Sequence, residues 1–302
     1  MYHTFYGLIH PPFEMTPDPA FLYLGETHRE GLATLVYGVR SRKGFVMLTG
    51  EVGTGKTTLL HALLAQLDAK TESAYIFNPR LEPLDFFQLF FDDLGIEETC
   101  VSKADYLLAL NHYLIDRLKE DRTVLLIIDE AQNLSPEMLE EIRLLSNLET
   151  PNSKLIQILL VGQPELSEML DRDDLRQLRQ RIVLRHELKP FDAGELEFYV
   201  EERLRLAGYT GKGIFKRSAL RELYAVTGGV PRLVNVVCDG ALLTGYGRDQ
   251  AILDAEIIRE VANDLHLNQD SATGETGNRG RGSSQRRRGW LSFFSMSREK
   301  SQ

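Results

Sequence analysis

Through the first 190 residues, short apolar runs bounded by turn signals alternate with stretches whose apolar positions recur every three to four residues. Runs of this kind read as strands buried on both faces, and their alternation with helical patterns predicts a parallel α/β sheet. The predicted strands are 45–50 (FVMLTG), 73–78 (SAYIFN), 123–129 (TVLLIID), 155–162 (LIQILLVG) and 182–188 (IVLRHEL), and a helical pattern follows each of the first four. After Pro190 the strand pattern stops. Four helical stretches take over, ELEFYVEERLRLAG, FKRSALRELYAVTGG, PRLVNVVCDGALLTGYG and DAEIIREVANDLHL, most of them closed by glycine or polar turn residues. The expected division is an α/β unit over 1–190, a small all-helical unit over 191–267 and a tail over 268–302, rich in Gly, Ser and Arg, whose composition predicts disorder.

Charge is distributed unevenly over these parts. The 302-residue chain carries a net −9, but its last 35 residues hold seven bases against three acids, which leaves +4 on the tail and −13 on the rest. A body that acidic is a poor generic partner for DNA phosphates, whereas the tail suits an anionic surface. Two cysteines, Cys100 and Cys238, cannot build a disulfide framework and form no CxxC, so a reducing cytosol is expected. The opening MYHTFYGLIHPPFEM lacks a basic leader and carries prolines, and no apolar run reaches the roughly 18 residues of a span. The chain is expected to be neither secreted nor membrane-spanning.

The first predicted strand runs into Gly50-Glu51-Val52-Gly53-Thr54-Gly55-Lys56-Thr57, with Thr58 opening the helical pattern that follows. This is G-x-x-x-x-G-K-[ST] between a strand and a helix, the context a phosphate-binding loop requires. Glycines let backbone N–H groups wrap phosphate oxygens, Lys56 reaches the β and γ phosphates, and the helix N-terminus adds a favourable dipole. Thr57 supplies a hydroxyl for Mg²⁺. The third strand ends in Asp129-Glu130, delivered to the carboxyl edge of the sheet where such folds bind ligands. There Asp129 can hold Mg²⁺ through water, and Glu130 can deprotonate the water that attacks the γ-phosphate. An acid pair that merely complements a helix dipole is the bland alternative. The seven histidines show no metal-ligand spacing, and no Ser-His-Asp grouping can be argued.

Taken in order, FYGL, PPF, TPDP, FLYL, GEVGTGKTTL, LLIIDEAQNLS, LLVGQPEL, LRQRI and TGGVPRLVNVVC resemble the ATPase domain of the general secretion pathway protein A (ExeA-like) family, of the AAA+ class, over about residues 1–265. The resemblance implies a P-loop sheet with a helical lid, Mg²⁺-dependent ATP hydrolysis and a homo-oligomer, for which a ring is one arrangement. It implies that Gln163, at the end of the fourth strand, holds the attacking water or γ-phosphate. Arg181 falls where the class places an arginine finger that acts on a neighbouring subunit's nucleotide, with Arg176, Arg179 and Arg185 close by. Arg232 matches the lid arginine that contacts phosphate. With Pro231 at the first helical position, a cation at Arg232 opposes the helix dipole by roughly 0.3–1 kcal/mol, a sign that bound phosphate would reverse. Phe13, Leu22 and Tyr23 are the candidates for covering the adenine, although plain packing of an N-terminal arm explains them equally well.

Relatives of this kind often continue into a membrane helix and a wall-binding domain, whereas this chain ends in RGRGSSQRRRGWLSFFSMSREKSQ. Arg286, Arg287 and Arg288 beside Trp290, Leu291, Phe293 and Phe294 suit the interface of an anionic leaflet; a solvated tail or one that binds RNA or protein has the same composition. The expected role is envelope assembly or secretion, in a secretion, pilus or polysaccharide-export system, with the body cytoplasmic and the tail peripheral to the inner membrane. A DNA-dependent ATPase of the transposition-regulator type shares the loop, the acid pair and the lid, but the −13 body argues against it.

Overall fold

A computed structural model of the chain describes residues 1–14, 23–77, 80–151 and 153–267. Five strands, β1 (Phe45–Gly50), β2 (Thr71–Ile76), β3 (Thr123–Ile128), β6 (Ile156–Gly162) and β7 (Ile182–Leu188), form one parallel sheet in the order β2-β3-β6-β1-β7. A two-residue antiparallel pair, β4 (Glu149–Thr150) and β5 (Ser153–Lys154), precedes β6. The second predicted strand begins and stops two residues earlier than expected, and Asn78, its expected last residue, lies outside the described residues. Register is set across the centre by Met47 opposite Leu160 and Leu126 opposite Ile158. β1 and β6 are buried at every position, as their largely apolar runs require, with Gln157 of β6 accepting from the Gly44 N–H, whereas the edge strand β7 alternates.

Alternate residues of each strand serve opposite faces. Val46, Leu48, Leu125, Ile127, Leu159 and Val161 pack against α2 (Glu26–Arg40) and α3 (Lys56–Gln66). Phe45, Met47, Leu126, Ile128, Ile158 and Leu160 pack on the other side, where α4 (Pro83–Leu94) contributes Phe86, Phe87, Phe90 and Phe91 and α5 (Lys103–Lys119) contributes Leu110 and Leu114. Helix α6 (Pro136–Leu145), α7 (Pro164–Leu170) and α8 (Arg176–Arg181) complete that layer. The sheet-and-helix sandwich with a helical unit is the architecture expected from the sequence.

The four helical stretches after Pro190 become α9 (Ala193–Leu206), α10 (Arg217–Thr227), α11 (Pro231–Gly247) and α12 (Ala255–Asp264), around a separate core. A capping box at Asp192 and Glu195 starts α9. Gly229 must be glycine: at φ +76° its carbonyl accepts from the Phe191 N–H at 3.0 Å, and a Cβ would lie 2.0 Å from the Phe191 carbonyl oxygen. This contact holds the start of the lid against the turn that launches α11.

The N-terminal segment packs with the lid. A short helix, α1 (Tyr2–Phe5), leads into Tyr6, Leu8 and Phe13, all inside the lid core. The Tyr2 hydroxyl donates to Asp239, and the Tyr6 hydroxyl donates to the Gln250 carbonyl at 2.9 Å. Phe13 is 1% exposed and meets Phe215 edge-on, so packing and not a ligand occupies it. Phe13→Ala should therefore cost the lid about 3–5 kcal/mol, read as faster hydrogen exchange of the α11 and α12 amides; a change below about 1 kcal/mol would mean that the segment only drapes over the surface.

Candidate nucleotide-binding site

The carboxyl ends of β1, β3 and β6 lie side by side, and each turns into a segment that lines one cavity of about 480 Å³. From β1 come Val52, Gly53, Gly55, Lys56, Thr57 and Thr58; from β3 Glu130; from β6 Gln163. The lid closes the far side with Phe191, Tyr199, Arg203, Arg232 and Asn235, and Glu14, Tyr23 and His28 complete the wall.

The loop is held open by its backbone. Gly53 and Gly55 adopt φ of +84° and +98°, and Gly55 ends as the left-handed cap before α3, with Lys56 in its first turn. The Thr54 hydroxyl bonds the Glu51 carbonyl at 2.8 Å and ties the loop across its neck. Lys56 Nζ donates to the carbonyls of Gly50 at 2.7 Å and Glu51 at 3.1 Å. Burial pulls the Lys56 ammonium below its ordinary value, and the Glu130 and Asp129 carboxylates pull it back up. Below the loop, His28 Nε2 donates to the Thr54 carbonyl at 2.8 Å. Burial lowers the His28 imidazole's affinity for a second proton, so a neutral ring braces the loop.

The acid pair sits where the third strand was expected to deliver it, and its two carboxylates have different surroundings. Asp129 is 2% exposed; one oxygen accepts from the Tyr75 hydroxyl at 2.6 Å and the other from the Glu130 N–H at 2.9 Å. Burial, then the hydrogen bond to Asp129, pushes the Tyr75 phenol well above its usual range, so it stays a donor. Glu130 departs from the strand at φ +54°, an uncommon conformation for a residue with a side chain, and its carboxylate borders the cavity. Thr57 is exposed to the same space and its hydroxyl has no hydrogen bond among the described residues. The Thr57 hydroxyl and the Asp129 carboxylate are oxygen donors of the kind that could hold Mg²⁺ together with phosphate oxygens.

Among the described residues one backbone hydrogen bond joins the lid to the loop. The Arg232 N–H, in the first turn of α11, donates to the Gly53 carbonyl at 3.2 Å, and a Cβ on Gly53 would sit 2.7 Å from the Arg232 Cβ. Pro231 opens α11, as expected, and the exposed Arg232 guanidinium has no partner among the described residues. Tyr23, Phe191 and Tyr199 form an aromatic cluster with centroids 5.0–5.6 Å apart, and the Tyr199 hydroxyl donates to Asn235 at 2.8 Å. Of the three adenine candidates, Tyr23 borders the cavity, Phe13 is in the lid core and Leu22 lies outside the described residues.

Arg181 does not reach this cavity. Its guanidinium donates to the Ser146 hydroxyl at 3.0 Å and to Asn147 at 2.8 Å on its own subunit. Arg179 bonds Asp171, Arg185 bonds the Arg179 carbonyl, and Arg176 is exposed with no side-chain partner among the described residues. Sequence reading missed His28, Tyr75, Phe191 and Tyr199, which belong to no motif and arrive from distant segments, and Asn235, which lies one helical turn beyond Arg232 within TGGVPRLVNVVC. Gln132 was within reach, two residues beyond Glu130 on the short 3-10 turn Ala131–Asn133.

Residues 39–170 match the AAA domain family. General secretion pathway protein A of Aeromonas hydrophila is 46% identical over 250 residues, which is 82% of this chain; the chain spans 45% of that relative's length. Among solved structures, a Cdc6 protein from Pyrobaculum aerophilum superposes with a TM-score of 0.63 at 18% identity, covering 83% of this chain and 71% of that one. The ORC2 protein of Aeropyrum pernix, in ADPNP and ADP complexes, gives 0.60 at 19%, covering 84% and 71%. At those identities the structural likeness speaks for the fold alone. The chain is therefore an AAA-domain protein, related to general secretion pathway protein A over most of its length.

Proposed function

We propose that this chain binds ATP with Mg²⁺ and hydrolyses it as a homo-oligomer in the service of envelope assembly or secretion. The reading rests above all on one arrangement: Lys56 and Arg232, from two different units, face a single cavity that Glu130 also borders. Two cations and the α3 N-terminus suit a triphosphate, and the carboxylate suits the water that attacks it. Glycine N–H groups, Lys56 and Arg232 hold the phosphates, and Thr57 with Asp129 would hold the metal, which supplies charge neutralisation at the β and γ oxygens. Glu130 takes the proton of the attacking water as its oxygen bonds the γ-phosphorus. The bridging oxygen between the β and γ phosphorus atoms leaves with ADP. Tyr23, Phe191 and Tyr199 offer apolar surface for the base.

The trans contribution we assign first to Arg176, whose guanidinium is free to meet a neighbour, with Arg181 second. The secretion role rests on the relative's name, and the cytoplasmic, membrane-peripheral location on the tail, which lies outside the described residues. No helix among the described residues is long and apolar enough to cross a membrane.

Lys56→Ala should abolish ATP binding, whereas Glu130→Gln should retain ATP and lose at least about 100-fold in turnover, measured by equilibrium nucleotide binding beside phosphate release. Equal turnover by wild type and Glu130→Gln at saturating ATP would remove Glu130 from the base role. Specific activity should rise with protein concentration, and mixing Lys56→Ala with Arg176→Ala subunits should restore part of it, since each lacks a different half of a shared site. Constant activity from a species that light scattering shows to be monomeric argues for a site complete in one chain. Deleting residues 280–302 should leave turnover intact and abolish co-sedimentation with anionic vesicles. If the intact chain stays in the supernatant at low salt, the tail is a partner-binding segment; stimulation of turnover by DNA in place of vesicles would favour the regulatory reading.

A further inference from the structure

The Glu130 carboxylate is held by one oxygen only. Its Oε2 accepts from Gln132 Nε2 at 2.6 Å and from Gln163 Nε2 at 3.3 Å, while Oε1 has no hydrogen bond among the described residues. The orientation of the Gln132 amide is not free: its Oε1 accepts from the Gln163 backbone N–H at 3.1 Å, so its NH₂ end has to face Glu130. That N–H belongs to the N-cap residue of α7, at a helix start whose donors lack partners within the helix, and Gln132 satisfies it. Space is also accounted for, because a Cβ on Gly162 would lie 2.8 Å from Gln132 Oε1. The amide is therefore clamped between the end of β6 and the carboxylate that follows β3.

We infer that Gln132 is a positioning residue for hydrolysis: it pins Glu130 through Oε2 to the end of β6 and leaves Oε1 to receive the proton of the attacking water. The inference rests on the assignment of Glu130 as base. Glu130 needs such a guide because its backbone has left the strand for the left-handed region, where neither the ladder of β3 nor a regular helix directs the side chain. A rotatable carboxylate is a poor general base, since a displacement of about 1 Å at the reacting atoms costs on the order of 100-fold in rate. Gln163 gives a second, longer bond to the same oxygen, but its position as the cap of α7 depends on the Gln132 acceptor. Gln132 is thereby the member of the trio that fixes both others.

The test is a cycle of single-turnover measurements with enzyme in excess over labelled ATP, on wild type, Gln132→Met, Glu130→Gln and the double variant. Methionine keeps the length of glutamine and removes both hydrogen bonds. Gln132→Met should lower the hydrolysis rate about 10- to 100-fold while Kd for a fluorescent ATP analogue and the melting temperature stay at wild-type values. Added to Glu130→Gln it should cost nothing more, because a residue that acts only through the carboxylate has nothing left to direct. Losses that multiply in the double variant, or a loss in Kd equal to the loss in rate, would overturn the inference and make Gln132 a packing residue. If Gln132→Met does not fold, Gln132→Glu keeps the acceptor for the Gln163 N–H and sets a carboxylate against Glu130; it should bind ATP and fail to turn it over, and wild-type turnover there defeats the inference. Wild-type turnover by Glu130→Gln alone would sink the base assignment and this inference together, which a multiplicative loss beside an impaired Glu130→Gln would not.

Discussion

Two neighbouring parallel strands cannot be joined by a tight turn; the chain has to cross back over the sheet, and it leaves each strand at the same edge. With β1, β6 and β3 adjacent, every departure from that edge opens toward a common space. The phosphate-binding loop, Gln163 and the Asp129-Glu130 pair are separated by tens of residues in the chain, yet they border or back one cavity because the sheet has one carboxyl edge. Apolar burial on both faces keeps this edge rigid. The Val46 and Phe45 sets of side chains face different helix layers, so a one-residue slip of β1 would exchange two cores and is strongly disfavoured.

The lid adds what the sheet cannot supply, a second cation from another direction. Arg232 reaches the loop because Gly53 has no side chain, and the same absence lets the Arg232 N–H bond the Gly53 carbonyl. A guanidinium in the first turn of α11 opposes the helix dipole, so this lid placement is electrostatically unfavourable until an anion fills the space between the two units. The N-terminal segment strengthens the linkage: its first residues belong to the lid core, and the chain then passes Glu14 and Tyr23 at the cavity wall before entering α2 under the sheet. Arg203 adds to the lid side by donating to the Pro12 and Glu14 carbonyls.

At the acidic wall the two carboxylates are differentiated by their hydrogen bonds and not by sequence position. Asp129 has a bond on each oxygen, from Tyr75 and from the Glu130 N–H, and is fixed and buried. Glu130 is tied through one oxygen and borders the open space. Held rigid, a carboxylate suits metal ligation; one with a free oxygen suits proton transfer.

Much of this was legible in the chain itself. Buried strands announce themselves as unbroken apolar runs because both faces are covered, lid helices by their period and glycine ends, and the phosphate loop by a spacing that only a strand-to-helix turn makes useful. Lys56, Thr57, Thr58, Asp129 and Glu130 were named from such local patterns and Gln163 and Arg232 from the resemblance to a known family, and all but the buried Asp129 border the cavity. What lay beyond the sequence were contacts between segments with no fixed spacing. Phe13 reads equally as a base cover or a core residue until the lid closes on it, and nothing in the sequence pairs the Arg181 guanidinium with Ser146 and Asn147. Tyr75 and His28 are anonymous residues of a strand and a helix whose donors meet Asp129 and the Thr54 carbonyl only once the sheet is assembled. Local pattern encodes which backbone forms and which atoms it can offer; the partner of a side chain is decided by long-range packing, where the chain sets no distance in advance.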